Sequence, residues 1–178
     1  LDRFSAKLRN KLFNLRFIDV LAGHKALDFL GINYYSRQLV EVKGLGLRSL
    51  LGDVCSKGHH PLKKNSLGWD IYPQGIQNIL LEVKKYRLPV LITENGICTS
   101  DDNTRWEYIK DHLENVHSAL LKGVPVIGYL YWSLIDNFEW DKGFCPRFGL
   151  VDIDYSSCKR TIRDSAKKLA EVYKTGIL

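Results

Sequence analysis

Three short stretches of this chain carry side chains that could act together. Asn33, Tyr34 and Tyr35 form the first, Glu94 and Asn95 the second, and Trp132 with Asp136, Glu139 and Trp140 the third. Carboxylates and amides can each engage adjacent hydroxyls, and indole rings offer flat apolar plates to the C–H face of a sugar ring. The set suits a neutral, polyhydroxylated ligand. A carboxylate facing such a ligand can be nucleophile, general base or hydroxyl ligand. Spacing alone lets Glu94 pair with Glu139 or with Asp136 as two catalytic acids.

Other chemistries find less support. The chain has no GxxxxGK phosphate loop and no GxSxG elbow. His112 and His117 are five apart and so do not share a helix face, and His59–His60 reads as an exposed turn. Cys55, Cys98, Cys145 and Cys158 make no CxxC pair and no zinc spacing, so no metal and no cofactor is expected. Free thiols in a reducing compartment fit them best, with a Cys145–Cys158 bridge as the alternative. No N-x-S/T acceptor occurs either, which favours a cytoplasmic location.

These groups need elements to position them. Phe4, Leu8, Leu12 and Leu15 recur at helical spacing from Asp2 to about Leu21, and Gly23 stops that helix. LDFLGINYY (27–35) reads as a buried strand, and residues 36–70 as a long loop. A helix is expected from Pro73, with Ile76, Ile79, Leu80 and Val83 inward. The strand PVLIT (89–93) follows it. A second helix spans roughly 102–122, with Trp106, Ile109, Leu113, Val116 and Leu120 inward. VIGYLYW (126–132) is the next strand, GLVDIDY a short one, and Ile162 to Lys174 a terminal helix. Alternating strands and helices imply a parallel sheet covered by helices, and chemistry in such folds gathers at the strands' C-terminal ends. All three candidate stretches sit at such ends.

The chain has 178 residues, of which 45% are hydrophobic and 26% charged, an ordinary globular balance. It contains no methionine and starts at Leu1, which suggests a piece of a longer polypeptide. The net charge of +6 raises the question of nucleic acid. Lys63–Lys64, Lys84–Lys85 and Lys167–Lys168 lie in separate elements and read as solvated faces, with no basic stripe interleaved with aromatics. No run is long enough to cross a bilayer. Neither nucleic acid nor membrane is an expected partner.

ITENG (92–96), NYYSR (33–37), GWDIYPQGI (68–76) and YWSLIDNFEWDKGFCPRFGLVDIDY (131–155) together resemble the C-terminal part of a family 1 glycoside hydrolase, the β-glucosidase family. The similarity runs from about Leu27 to the last residue. It implies an α/β chain that supplies the C-terminal three βα units, strands 6–8, of a (β/α)8 TIM barrel. Residues 1–178 would then be the C-terminal portion of one barrel domain, and the N-terminal portion would be its partner. The implied activity is hydrolysis of unphosphorylated β-glycosides with retention, Glu94 being the nucleophile and Tyr35 its hydrogen-bond donor. Asn33, Trp132, Glu139 and Trp140 match sugar-binding positions, while Trp69 and Phe148 match the aglycone side. The resemblance moves Glu139 from catalytic acid to sugar ligand. The family's acid/base glutamate lies in an N-E-P motif that this chain lacks. It also implies a cis peptide between Trp132 and Ser133. The alternative is a pseudoenzyme of the same fold that binds a sugar or a protein without turnover.

Overall fold

A computed structural model describes residues 1–44, 46–55 and 62–178, with backbone alone at 47 and 48. His59, His60 and Pro61 lie outside the described residues. The chain forms two compact units, Leu1–Asp28 with Arg37–Pro61, and Phe29–Ser36 with Leu62–Leu178.

The first unit opens with a continuous helical run: α1 (Asp2–Asn10), a π turn (Lys11–Leu15) and α2 (Arg16–Gly23). Its expected inner stripe is incomplete. Leu15 is buried, whereas Phe4 and Leu12 are 57% and 41% exposed. A π turn is wider than an α turn, so it shifts the phase of any stripe that crosses it. The segment expected to be a loop holds two short strands, β2 (Val40–Glu41) and β3 (Asp53–Val54), paired antiparallel. Two-residue strands are too short to show an alternating pattern in sequence. The Val42 amide donates to Asp2 Oδ1 at 3.0 Å, tying this segment to the start of α1.

The second unit is built on a parallel sheet in the order β1 (Leu30–Tyr34), β4 (Val90–Asn95), β5 (Val126–Tyr131). Helices α3 (Gln74–Val83) and α4 (Asp102–Leu121) connect the strands, and α5 (Asp164–Thr175) ends the chain. Ile76, Leu80 and Val83 of α3, Val90 and Ile92 of β4, and Ile109, Val116 and Ala119 of α4 form the core, all 5% exposed or less. Each buried Val, Leu or Ile among them contributes about 1.5–3 kcal/mol.

Three expectations change here. Strand β4 runs on through Glu94 and Asn95 instead of stopping at Thr93. The buried face of α4 is Arg105, Tyr108, Ile109, His112, Val116 and Ala119, so Ile109 and Val116 are inward as expected while Leu120 is 41% exposed. Polar residues in that stripe hide it from a hydrophobic reading. The terminal helix begins at Asp164 because Lys159–Ile162 is a strand, β7, antiparallel to β6 (Val151–Asp154). Asp102 then links two helices: Ser165 donates to it through its amide at 2.8 Å and its hydroxyl at 2.6 Å. The expected two-sided burial is incomplete: in the central strand Leu91, Thr93 and Glu94 are only half-buried, and in β5 Ile127 and Leu130 are 63% and 53% exposed.

Candidate active site

A one-residue irregularity decides where Glu94 points. Ile32 pairs with Ile92 but Asn33 pairs with Glu94, so Thr93 is an extra residue on β4. The other neighbour agrees: Ile92 is opposite Tyr129 and Asn95 opposite Tyr131. In an unbroken strand residues 90, 92 and 94 would share one face. The buried positions are instead Val90, Ile92 and Asn95. The bulge therefore turns Asn95 toward the helices and leaves Glu94 beside Thr93 on the half-open face. Glu94 and Asn95 look equivalent in sequence and face opposite ways.

Glu94 meets Tyr35 directly. The Tyr35 hydroxyl donates to Glu94 Oε2 at 2.7 Å. Burial, and then the neighbouring Glu94 carboxylate, push the Tyr35 phenol far above its usual range, so it remains a donor at any working pH. Asn33 and Thr93 lie next to this pair, with the Thr93 hydroxyl donating to Asn33 Oδ1 at 2.6 Å.

Asn95 is fully buried behind the acid. Its Nδ2 donates to the Tyr34 carbonyl at 2.7 Å and to the Tyr108 hydroxyl at 3.0 Å, and its Oδ1 accepts from the Tyr129 hydroxyl at 2.6 Å. Tyr108 in turn donates to the Tyr35 carbonyl at 3.2 Å. The strand end is thus fixed to both neighbours and to α4. Gly96, next in line, is a glycine for a steric reason: a Cβ there would lie 1.9 Å from the Trp132 carbonyl oxygen. That close approach lets the Trp132 amide reach the Asn95 carbonyl at 3.0 Å.

Aromatic rings wall one side. Tyr35, Trp69 and Phe148 form a triangle with centroids 6.0, 6.1 and 6.2 Å apart. Phe148 is buried within it, and Trp69 is 37% exposed at its rim. Trp69 sits on a turn organised by Asn65, whose Oδ1 accepts the amides of Leu67 and Trp69, both at 2.9 Å. Trp132 follows β5, and the peptide joining it to Ser133 is cis, as expected from the resemblance.

The loop after Trp132 separates the two remaining acids. Asp136 is not poised for catalysis. Arg163 grips it at 2.9 and 3.3 Å, Arg147 lies 3.3 Å away, and the Gly149 amide donates at 2.7 Å. Burial would raise the Asp136 carboxyl, but these partners outweigh it and hold the group below the usual range. Spacing suggested a second catalytic acid; the geometry makes Asp136 the anchor of the loop. Glu139 is half-buried, and its amide donates to the Gly143 carbonyl at 2.8 Å in a tight turn. Burial first, and then the charge of Glu94, raise the Glu139 carboxyl above its ordinary value, so the two acids share one field. Trp140 stands 82% exposed at the tip of that turn.

Sequence reasoning missed three contributors: Thr93 on Asn33, Tyr108 beneath Tyr35, and the arginines on Asp136. Tyr108 had a signal, since it lies at helical spacing from Arg105 and His112 on one polar stripe. Thr93 had none, because its direction depends on the bulge. All four cysteines are free thiols, and among the described residues no His, Cys, Asp and Glu cluster has the geometry to hold a metal. No helix among those residues is long and apolar enough to cross a membrane.

The family model of glycosyl hydrolase family 1 matches residues 7–177. The chain belongs to glycosyl hydrolase family 1. A β-galactosidase of Sulfolobus acidocaldarius is 40% identical over 152 residues, covering 82% of this chain and 31% of that protein. The β-glycosidase of Pyrococcus horikoshii superposes with a TM-score of 0.88 at 37% identity, over 98% of this chain and 44% of its own. The β-glucosidase of Thermotoga maritima, solved in complex with glucoimidazole, gives 0.77 at 39% identity over 85% of this chain and 36% of its own. The chain therefore spans about a third of the curated relatives' length. As in these family 1 barrels, β1, β4 and β5 are strands six to eight of a (β/α)8 barrel, which these three strands alone do not close.

Proposed function

We propose that this family 1 chain is the C-terminal portion of a retaining β-glycosidase, with Glu94 as nucleophile and Tyr35 as the group that orients it. The carboxylate attacks the anomeric carbon as the glycosidic C–O bond breaks. The leaving oxygen takes a proton from an acid/base carboxyl supplied by the N-terminal portion of the barrel. Water, deprotonated by that same carboxyl, then attacks the glycosyl ester and releases the sugar and a free Glu94. The two carboxyls of such a pair stand about 5–5.5 Å apart.

The observation that carries this reading is the 2.7 Å hydrogen bond from Tyr35 to Glu94 at the end of the central strand. A phenol on one oxygen leaves the other carboxylate oxygen for attack. Glu94 lies on one strand and Tyr35 directly follows another, the rigid support that a near-attack geometry requires. Asn33, Glu139 and Trp140 supply sugar contacts, Trp132 the platform, and Trp69 with Phe148 the aglycone wall. Glu139 also bears on substrate class. Its carboxylate would repel a phosphate dianion, so unphosphorylated β-glycosides fit best.

The test is turnover of aryl β-glycosides by the intact parent polypeptide with and without Glu94→Ala. The variant should lose on the order of 10⁴-fold or more in kcat, because the covalent route is gone. Azide, entering the space left by the carboxylate, should restore part of that rate and yield a glycosyl azide of inverted configuration. Wild-type-like turnover by the variant would refute the assignment, and a wild-type parent without turnover would favour the pseudoenzyme.

A further inference from the structure

We infer that Asn95 and Tyr108 are positioning residues: a hydrogen-bonded relay behind the sheet that holds the Tyr35 hydroxyl against Glu94. The inference rests on the reading of Glu94 as nucleophile and goes beyond it, because neither residue touches the half-open face.

The relay has one consistent orientation. Backbone carbonyls only accept, so Asn95 Nδ2 must face the Tyr34 carbonyl and Oδ1 must face the Tyr129 hydroxyl. The second Nδ2 hydrogen then goes to the Tyr108 oxygen, leaving the Tyr108 proton for the Tyr35 carbonyl. Every member is buried or tied to backbone. Asn95 is 0% and Tyr108 2% exposed. Burial pushes the Tyr108 and Tyr129 phenols well above their usual range, so both stay protonated donors.

The Tyr108 ring is itself held. It stacks on His112 with centroids 3.7 Å apart, and His112 Nδ1 donates to the Tyr108 carbonyl at 2.7 Å. Helix α4 thus presents a fixed hydroxyl to the backbone of the residue that carries the catalytic phenol.

Two consequences follow for the front of the sheet. Asn95 sits immediately after Glu94, and its amide grips Tyr34, immediately before Tyr35. The same amide holds the register Asn33↔Glu94 and Tyr34↔Asn95, and so keeps the bulge at Thr93. Without the bulge a one-residue slip would send Glu94 to the helix face. Without Tyr108, the Tyr35 carbonyl loses its anchor, and the 2.7 Å contact to Glu94 has no support from behind.

The test is a double-mutant cycle in the intact parent, Tyr108→Phe against Tyr35→Phe, with steady-state kinetics. Tyr108→Phe should lower kcat by about tenfold with KM within about twofold, since sub-ångström misplacement of a reacting group is costly. The same substitution in a Tyr35→Phe background should cause almost no further loss, because the contact it supports is already gone. Ser165→Ala serves as a control, removing a hydroxyl bond from a buried serine to Asp102 that is no part of the relay. It should leave kcat within about twofold at a comparable loss of stability. Independent, multiplicative losses from Tyr108→Phe and Tyr35→Phe would overturn the relay, as would an equal kcat loss in Ser165→Ala. Labelling of the wild-type parent by a 2-fluoro glycoside separates the two readings. Label on Glu94 with multiplicative losses defeats the relay alone, whereas label on another residue defeats both.

Discussion

Glu94 carries one phenol on one carboxylate oxygen. Behind it the polar side chains are buried, and His112 shows at the residue scale what that costs. Its Nδ1 is paired, but its Nε2 is buried without a hydrogen-bond partner among the described residues. It is fully buried, with Tyr108 stacked on one face, Tyr34 tilted 5.9 Å away, and Nδ1 committed to the Tyr108 carbonyl. Burial drives its pKa down from 6.5 to about 4, so the folded protein holds it neutral. Between these values the unfolded chain binds the extra proton, and stability must fall as the pH falls from 6.5 toward 4. The contribution is on the order of 3 kcal/mol at the lower end. Thermal unfolding of the intact parent should therefore lose less stability over that window in His112→Gln than in the wild type. Equal pH slopes in the two proteins would contradict a buried neutral imidazole. This burial was not legible in sequence, where the spacing of His112 from His117 spoke only against a shared ligand site.

At the scale of elements, the hairpin β6–β7 and the loop before it show what sequence patterns can and cannot carry. The strands PVLIT and VIGYLYW were plain as short continuous apolar runs, and the helix after Pro73 because its apolar residues recur at one period. The β7 strand KRTI is exposed along its whole length, so nothing in its composition announces it. The α4 face was misplaced because a buried arginine and histidine interrupt its apolar stripe. Arg105 donates to the carbonyls of Thr99 and Arg147, bridging the segment after Glu94 to the loop after Trp132. Asp136 completes that bridge from the other side. Replacing it with alanine leaves Arg163, which is 12% exposed, with Asp152 as its remaining carboxylate and the Gly149 carbonyl as an acceptor. Stability should fall by about 3 kcal/mol, read as a lower urea midpoint, because a partly buried cation loses one of its two carboxylate partners. The loop bearing Glu139 should loosen as well, and if it holds the sugar as proposed, KM should rise more than kcat falls. An unchanged midpoint would show that the ion pair contributes nothing and that another contact anchors the loop.

At the scale of the whole molecule, the three-stranded sheet is an arc of a barrel. Strands β1 and β5 each pair with β4, and among the described residues neither has a second neighbour in that sheet. Ile127, Leu130 and Leu134 on and beyond β5 are exposed to 63%, 53% and 69%. Unpaired edges with apolar side chains invite association with another chain. The separately purified 178-residue chain should accordingly show no glycosidase turnover and should self-associate in sedimentation experiments. Robust turnover by a monodisperse preparation would overturn the proposal that the acid/base carboxyl comes from the rest of the barrel. The barrel itself was legible in four motifs, but the second carboxyl was not, because its expected motif is absent from the 178 residues.

The central claim is that Glu94 forms the covalent bond to the sugar. Incubating the intact parent with a 2-fluoro β-glycoside and mapping the modified peptide tests it most directly, since the fluorine slows breakdown of the glycosyl ester. The account predicts one sugar per active site, attached to Glu94 in the peptide containing ITENG. Attachment to Glu139, Asp136 or any other residue would contradict it.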